Sequence, residues 1–346
     1  MTHLLLPLVV SVGLAGSGRD LSGLEATFDR IVAASRGEVG VALIHVESGA
    51  RLAIHGDQRF PMASVYKVPI ALELLTQVSL GQLSLDREIS IGPSDIRACC
   101  TLSRRHPNGG VTLTARNLLE LMITESDNTA GDALMKLVGG PAAVERRLRA
   151  LGFNGINVNR YEGDIAFEMD GVSPPPEAEW TLELQRRLIA EVPPAALREA
   201  RAKYTSDPRD TATPDEMARF LGRLQLGNLL PPPFTDLLLD LMAHVKTGSA
   251  RLKALLPPDT PVAHKTGTTD VVINDVGIIT LPDNGGHLVL AVFVTNAPRV
   301  AEMQRTIAQL AGAAFEFFTG KPLPPPAKPK ATHKKRATAT RRTNGK

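Results

Sequence analysis

The sequence predicts an α+β fold: an antiparallel five-stranded sheet flanked by helices, together with a largely helical half. Two observations carry this prediction. Alternating segments rich in β-branched residues lie near both ends of the chain, and the long stretch between them repeats apolar residues at helical spacing. No Pro/Gly-rich linker divides this stretch, so strands from both ends are expected to complete the sheet of one domain.

Five segments have the pattern of strands. The two near the start are separated by Glu47, Ser48 and Gly49, which indicates a hairpin. Among the three segments nearer the end of the chain, a turn near Asn274 and Asp275 is expected to reverse the chain. The predicted strands cover residues 40–45, 51–54, 262–265, 272–281 and 288–295.

Apolar residues at helical spacing predict a series of helices. One helix begins at Thr213, a favourable N-cap, followed by Pro214 at the first helical position. Asp215 and Glu216 place negative charge in its first turn, where the helix dipole favours it. The predicted helices cover residues 21–34, 64–75, 112–125, 129–137, 142–151, 213–224, 234–245 and 300–318, and a helix-like stretch at 179–203 is interrupted by Pro193 and Pro194.

The charge of the chain is divided unevenly along its length. The 346 residues carry 39 Lys and Arg against 36 Asp and Glu, a formal charge of +3. Residues 321–346 hold nine of the basic residues, five prolines and no acid, so the rest of the chain is acidic, near −6. This composition predicts a disordered tail, either a solvated appendage or an arm that contacts anionic envelope polymers. Because the tail has no aromatic residues to stack on bases, we expect no specific nucleic-acid binding.

The first 18 residues are apolar and are followed by small residues. These features predict a secretory signal whose positive charge comes from the amino terminus and His3. The apolar run is shorter than a typical membrane span, and a buried first helix is the alternative. The prediction implies export to the periplasm or the medium and leaves residues 19–320 as a single domain.

The two cysteines, Cys99 and Cys100, are adjacent. Neighbouring cysteines cannot staple a distant loop, so two free thiols are the favoured interpretation and a vicinal disulfide is the alternative. No Cys-x-x-Cys or His cluster predicts a metal site, and no glycine-rich fingerprint predicts a bound dinucleotide or phosphate. We therefore expect neither a metal nor a cofactor.

A serine and a lysine three residues apart open the helix at residues 64–75. Residues at this spacing share one helix face, so Lys67 lies within reach of Ser64. A serine hydroxyl becomes an effective nucleophile when a nearby base takes its proton. Lysine can be that base only if burial or nearby positive charge lowers its pKa. This is the only Ser-x-x-Lys in the chain, and alone it is equally compatible with an ordinary surface helix.

Two triplets accompany this tetrad. A Ser-Asp-Asn triplet at residues 126–128 lies at the junction between two predicted helices, where a helix cap is the alternative interpretation. A Lys-Thr-Gly triplet at residues 265–267 lies on a predicted strand. The same triplet recurs at residues 246–248, where Lys246 and Gly248 are instead interpreted as a last-turn cation and a C-cap.

The ordered set Ser-x-x-Lys, Ser-Asp-Asn and Lys-Thr-Gly resembles that of the class A serine β-lactamases and of penicillin-binding proteins. The resemblance to the class A enzymes covers about residues 28–318. It includes RFPMAS before the helix, LDREI at 85–89, DPRDTATP at 207–214 and TGSARLKALLP at 247–257. It implies the serine β-lactamase and DD-peptidase fold, and hydrolysis of β-lactam rings through an acyl-enzyme, which confers antibiotic resistance.

The resemblance also implies roles for the motif residues. Ser64 would be the nucleophile, Lys67 and Glu162 the candidate bases for acylation, and Ser126 the proton relay to the leaving nitrogen. The backbone N–H groups of Ser64 and Thr268 would form the oxyanion hole. The expected substrate-binding residues are Asn128 for the acyl side-chain amide, Lys265 and Thr266 for the carboxylate, and Gly267 and Thr268 on the same strand.

A glutamate that activates the deacylating water distinguishes β-lactamases from D-alanyl-D-alanine peptidases with the same motifs. The stretch at residues 160–162 resembles the Arg-aromatic-Glu sequence that opens the Ω-loop of class A enzymes, so Glu162 is the candidate general base. The family pattern continues Pro-x-Leu-Asn, whereas Ala166 stands here at the place of the asparagine. The chain also carries an enlarged Ω-loop at about residues 163–206.

Three functions remain open from the sequence. The position of Glu162 favours a β-lactam hydrolase. The missing asparagine and the altered loop favour a peptidoglycan D-alanyl-D-alanine peptidase, or a related acyl-serine hydrolase, acting on an acyl-D-Ala-type substrate. A non-catalytic binding protein is opposed by the intact set of Ser64, Lys67, Ser126 and Lys265. We expect a monomer that binds a small molecule.

Overall fold

A computed structural model describes residues 19–323 of the chain. The predicted signal at residues 1–18 and the tail beyond residue 323 lie outside this range. The strands are β1 Glu38–His45, β2 Arg51–Ile54, β3 Phe60–Pro61, β4 Glu88–Ile91, β5 Val111–Thr114, β6 Thr211–Ala212, β7 Val262–Thr268, β8 Val272–Thr280 and β9 His287–Thr295.

The helices surround the strands and fill the middle of the chain. They are α1 Ser22–Ala34, α2 Lys67–Ser79, α3 Cys100–Arg105, α4 Ala115–Thr124, α5 Asn128–Leu137, α6 Pro141–Ala150, α7 Glu162–Met169, α8 Leu182–Ala190, α9 Pro194–Ser206, α10 Pro214–Gln225, α11 Pro232–Ala243 and α12 Val300–Thr319. Between residues 19 and 323, none of them is both long and apolar enough to cross a bilayer.

The central sheet has five antiparallel strands in the order β2-β1-β9-β8-β7. Strand β1, near the start of the domain, pairs along its whole length with β9 near the end, for example Val41 with Val292. The predicted α+β class is therefore confirmed: strands from both ends of the domain complete one sheet.

Two hydrophobic cores lie on the two faces of this sheet. On one face, Phe28 of α1 and Ile307 of α12 pack against strand residues such as Val292. On the other face, the core is centred on α2, whose residues from Lys67 to Leu75 are all buried. A helix that is buried on every side belongs to the interior of a domain, so the surface-helix interpretation of the Ser-x-x-Lys tetrad is wrong.

The turn predicted near Asn274 and Asp275 is wrong. Both residues lie within β8 and are fully buried. Their side chains hydrogen-bond to neighbouring segments, which overrides the usual preference of Asn and Asp for turns. The chain reverses instead between Thr268 and Val272, where the Thr269 N–H donates to the Val272 carbonyl over 2.8 Å.

The helix predicted for residues 112–125 begins later than expected. Residues 111–114 form β5, which pairs with β4. Thr114 then acts as the N-cap of α4, because its side chain accepts a hydrogen bond from the Asn117 N–H.

The enlarged segment at residues 163–206 is mostly helical. It contains the greater part of α7 together with α8 and α9, and its break at Pro193 and Pro194 agrees with the sequence prediction. An ion pair closes the base of the segment: Arg160 Nε lies 2.6 Å from Asp210 Oδ2, and both side chains are almost completely buried. Asp210 Oδ1 also accepts from the backbone N–H of Asn159.

We predict that Asp210→Asn lowers the free energy of unfolding by about 3 kcal/mol, because it removes the most deeply buried of the three carboxylates that pair with Arg160. Asparagine tolerates the positive φ of 51° at this position, so backbone strain adds little. Urea unfolding followed by circular dichroism measures the change. Arg299→Gln, which breaks an exposed pair with Glu302, is the control and should cost at most about 1 kcal/mol. Equal losses in the two variants would contradict the prediction.

Candidate active site

The Ser64 hydroxyl is presented by a tight turn at the start of the buried helix α2. Residues Ala63–Tyr66 form a 3-10 turn that continues into α2 at Lys67. Ala63, directly before Ser64, has a left-handed backbone with φ of 45°, which is unusual for a residue other than glycine and is a kind of strain that clusters at functional sites. Asn274 of β8 fixes this turn, since its Nδ2 donates to the carbonyls of Pro61 and Met62 over 2.8 and 3.0 Å.

Lys67 is fully buried beside Ser64. Its Nζ lies 3.2 Å from Ser64 Oγ, 2.7 Å from the Ser126 carbonyl oxygen and 2.6 Å from Asn128 Oδ1. Burial lowers the pKa of Lys67, and the nearby carboxylates of Glu162, Asp127 and Asp132 only partly oppose this effect. The direction is the one that a lysine acting as a base requires.

The Ser-Asp-Asn triplet occupies the predicted junction between α4 and α5. Asp127 is the helix cap, because its Oδ1 accepts from the Ala130 N–H over 3.0 Å. The cap interpretation therefore holds for Asp127, while Ser126 and Asn128 point towards the lysines. Ser126 has a left-handed backbone with φ of 61°, the second such residue at the site.

Lys265 approaches the same serine from β7. Its Nζ donates to Ser126 Oγ over 2.8 Å and to the Thr266 carbonyl oxygen over 3.0 Å, and the side chain is fully buried. Burial lowers the pKa of Lys265 well below its ordinary value, and the charge of Lys67 lowers it further, whereas Asp275 raises it. Ser126 thus connects the two lysines, through its carbonyl to Lys67 and its hydroxyl to Lys265.

Gly267 is needed because β7 passes directly against the turn that presents Ser64. A Cβ at this position would clash with the Met62 carbonyl oxygen. Thr268, the next residue, accepts a hydrogen bond from Arg251 Nη2 over 2.7 Å, and Arg251 Nη1 binds the Gly267 carbonyl oxygen over 3.0 Å. The buried Arg251 therefore holds the end of the strand that faces the cleft.

The roles predicted for the second Lys-Thr-Gly triplet are wrong, because α11 already ends at Ala243: Lys246 lies beyond its last turn and Gly248 is not its C-cap. Lys246 is exposed and pairs with Glu125 over 2.8 Å. Gly248 has a positive φ of 78°. Thr247, however, contributes to the site, since its hydroxyl lies 2.6 Å from that of Thr266.

Glu162 is the first residue of α7. Within residues 19–323, the only side-chain hydrogen bond to its carboxylate comes from Tyr66, whose hydroxyl donates to Oε2 over 3.0 Å. Its backbone N–H donates to Asp132 Oδ1 over 2.6 Å, which anchors the start of α7 on α5.

The residues that support Glu162 are not predicted from the sequence. Arg97 Nε donates to Asp132 Oδ2 over 2.6 Å, and both side chains are almost fully buried. The Arg97 guanidinium stacks on the ring of Trp180, 4.3 Å from its centroid. Trp180 belongs to the enlarged segment and lies so close to Gly163 that any Cβ there would clash with its ring. Only one signal was available from the sequence: Asp132 lies one helical turn after Asn128, on the same helix face.

The interpretation of Cys99 and Cys100 as free thiols is wrong, because their sulfur atoms form a vicinal disulfide. Both residues have positive φ values, and Cys100 begins α3. Cys100 Sγ lies 3.6 Å from the Ser126 carbonyl oxygen, so the disulfide borders the site. In the described part of the chain, no cluster of three or more His, Cys, Asp or Glu residues has the arrangement of a metal site.

Comparison with known proteins agrees with this geometry. The model of the Beta-lactamase enzyme family matches residues 23–318. β-Lactamase VEB-1 from Pseudomonas aeruginosa is 30% identical over 88% of this chain and 93% of its own length. β-Lactamase Toho-1 from Escherichia coli is 31% identical over 85% of this chain and 87% of its own.

Solved structures give the same result. A crystal structure of a β-lactamase from Chitinophaga pinensis has a TM-score of 0.71 and 30% identity, and the alignment covers 85% of this chain and 99% of that one. An ancestral class A β-lactamase has a TM-score of 0.70 and 32% identity, with the same coverage of both chains. With its family match, its fold and its paired lysines around Ser64, this chain belongs to the β-lactamase enzyme family, among the class A serine hydrolases.

Proposed function

We propose that this chain opens β-lactam rings through an acyl-enzyme on Ser64 and releases the product with water activated by Glu162. The observation that carries the proposal is the position of the Lys67 amine between the Ser64 hydroxyl and two carbonyl oxygens. A neutral amine has two N–H donors and one lone pair. With both donors directed at the Ser126 and Asn128 oxygens, the lone pair faces Ser64 Oγ over 3.2 Å.

In acylation, Ser64 Oγ attacks the carbonyl carbon of the ring amide. Its proton passes to Lys67, or through a water to Glu162. The backbone N–H groups of Ser64 and Thr268 stabilise the oxyanion, and each such donor is worth about 3 kcal/mol of barrier. As the ring C–N bond breaks, the proton reaches the nitrogen by way of Ser126, whose Oγ lies 2.8 Å from Lys265 Nζ.

The negative charge of the bound substrate favours different protonation states for the two lysines. Lys265 and the Thr266 hydroxyl take the carboxylate of the substrate, since a cation beside a hydroxyl gives a strong, directed hydrogen bond. That carboxylate favours the protonated form of Lys265, and the resulting positive charge favours the neutral form of the nearby Lys67. Asn128 keeps one free N–H for the acyl side-chain amide, because its Nδ2 uses the other on the Ala98 carbonyl oxygen.

In deacylation, Glu162 takes a proton from a water that attacks the ester. The bond from the acyl carbon to Ser64 Oγ then breaks, the proton taken up by Glu162 returns to Ser64 Oγ, and the ring-opened acid leaves. The proposal also includes export through the predicted signal at residues 1–18, contact of the basic tail with anionic envelope polymers, and action as a monomer.

Quenched-flow mass spectrometry with a penicillin tests these assignments. The protein spanning residues 20–346 should turn over. Glu162→Gln should accumulate an adduct of one whole penicillin on Ser64, because the ring opens without losing atoms and no base remains to activate water. Ser64→Ala should form no adduct.

Two outcomes would overturn the assignments. If Glu162→Gln turns over as fast as the unaltered protein, Glu162 is not the deacylation base. If the unaltered protein itself stays acylated for hours, it acts as a penicillin-binding acyl-serine hydrolase, and the peptidase function is favoured instead.

The pH dependence of kcat/KM tests the role of Lys265. A cation that binds the substrate is present below its pKa and lost above it, and burial lowers the pKa of Lys265. We predict that kcat/KM falls at a pH well below about 10.4, which is the pKa of an ordinary lysine. Lys265→Arg should move this fall to higher pH, because a guanidinium remains charged to about pH 12.

The second triplet provides a matched control. Lys246→Arg makes the same chemical change at an exposed lysine and should leave the profile unaltered. An alkaline limb that does not move in Lys265→Arg would show that another group controls it.

A further inference from the structure

The Tyr66 side chain lies inside the catalytic turn, between Ser64 and Lys67. Its ring is 1% exposed and packs within the core around α2. A hydroxyl buried to this extent costs free energy unless it is paired, which a phenylalanine at this position would avoid. The only hydrogen bond of this hydroxyl in the described part of the chain is the one to Glu162 Oε2, over 3.0 Å.

The hydroxyl is a fixed and neutral donor. Burial raises the pKa of Tyr66 well above its ordinary value, and the negative charge of Glu162 raises it further, so the phenol keeps its proton at any working pH. Its place is set by a ring that has two rotatable bonds and is enclosed by the core, whereas a glutamate has three rotatable bonds of its own. The tyrosine therefore sets the position of the carboxylate.

One oxygen of Glu162 remains available. No hydrogen bond to Oε1 is found among residues 19–323, while Oε2 is held by Tyr66. The other end of the residue is fixed as well, because its N–H is bound to Asp132. Ala166, one helical turn further along α7, has no polar side chain to assist.

We propose that Tyr66 is a positioning residue for deacylation: it holds Glu162 through Oε2 so that Oε1 accepts the proton of the attacking water. The inference rests on the proposed role of Glu162. It explains how a chain with alanine at position 166 keeps a defined site for that water, since the donor comes from the nucleophile turn.

Tyr66→Phe removes one oxygen atom and keeps the ring. We expect deacylation to slow by about ten- to hundredfold, the scale that misplacement of a catalytic group costs. Acylation should stay within about twofold when Lys67 takes the Ser64 proton, because no hydrogen bond joins Tyr66 to Ser64 or Lys67 in the described residues. When only deacylation slows, kcat and KM fall by the same factor and kcat/KM is unchanged. The penicillin adduct on Ser64 should therefore accumulate in Tyr66→Phe.

Thr306→Val is the control, since it also removes a buried hydroxyl, here one that donates to the Glu302 carbonyl oxygen within α12, away from the site. Its deacylation rate should stay within about twofold of that of the unaltered protein, because the variant loses no hydrogen bond to Glu162. Thermal unfolding of both variants reports on packing. The double variant Tyr66→Phe/Glu162→Gln should deacylate no more slowly than Glu162→Gln alone, because Tyr66 acts through Glu162.

The outcomes separate this inference from the proposed function. If Glu162→Gln stalls while Tyr66→Phe deacylates normally, only the inference on Tyr66 is overturned. If Tyr66→Phe loses kcat/KM without accumulating adduct, the tyrosine serves acylation or packing, which also overturns it. If Glu162→Gln itself turns over normally, the proposed deacylation base is wrong, and the inference falls with it.

Discussion

Two fully buried lysines share one cleft, and the structure around Lys67 and Lys265 is arranged to accommodate their charge. Burial lowers the pKa of both, and each positive charge disfavours the other. Carboxylates are placed behind them: Asp127 and Asp132 on the helical side and Asp275 within the sheet. Removing these acids would lower the pKa of both lysines further, because the charged forms would lose their countercharges in the interior. The interface between the sheet and the helical half therefore contains buried ionisable groups as well as apolar side chains.

The enlarged segment takes part in this arrangement. Through Trp180 it contacts Arg97, and through Arg97 it reaches Asp132, which binds the start of α7. The same segment packs at its other end beside the turn that presents Ser64, since Tyr204 of α9 joins a small apolar cluster with Ile165 and Ala63. Residues added to the loop thus stabilise the helix that carries Glu162 from two sides.

Much of the fold and the motif set could be predicted from the sequence, because both depend on local signals. Apolar periodicity located the strands and helices, and the spacing of Ser64 and Lys67 placed them on one face. The polar residues of β8 were misjudged because their partners are far away in sequence: Asn274 binds carbonyls of residues 61 and 62. A turn preference cannot compete with buried hydrogen bonds of that kind.

The same reason explains why the support of Glu162 was missed. Tyr66 and Asp132 lie 96 and 30 positions before it, and nothing in their local sequence marks them as its partners. The adjacent cysteines were misjudged for a different reason: whether two thiols are joined depends on the backbone around them, and here both residues have positive φ.

The contact between Gly163 and Trp180 limits how this chain can diverge. Any side chain larger than hydrogen at position 163 would overlap the indole ring, so a replacement of Gly163 alone displaces Glu162, the proposed general base. Loss of the indole alone would open a void against the same backbone. The two positions can therefore change only together, and descendants of this chain are expected to keep both or to lose both along with the added segment.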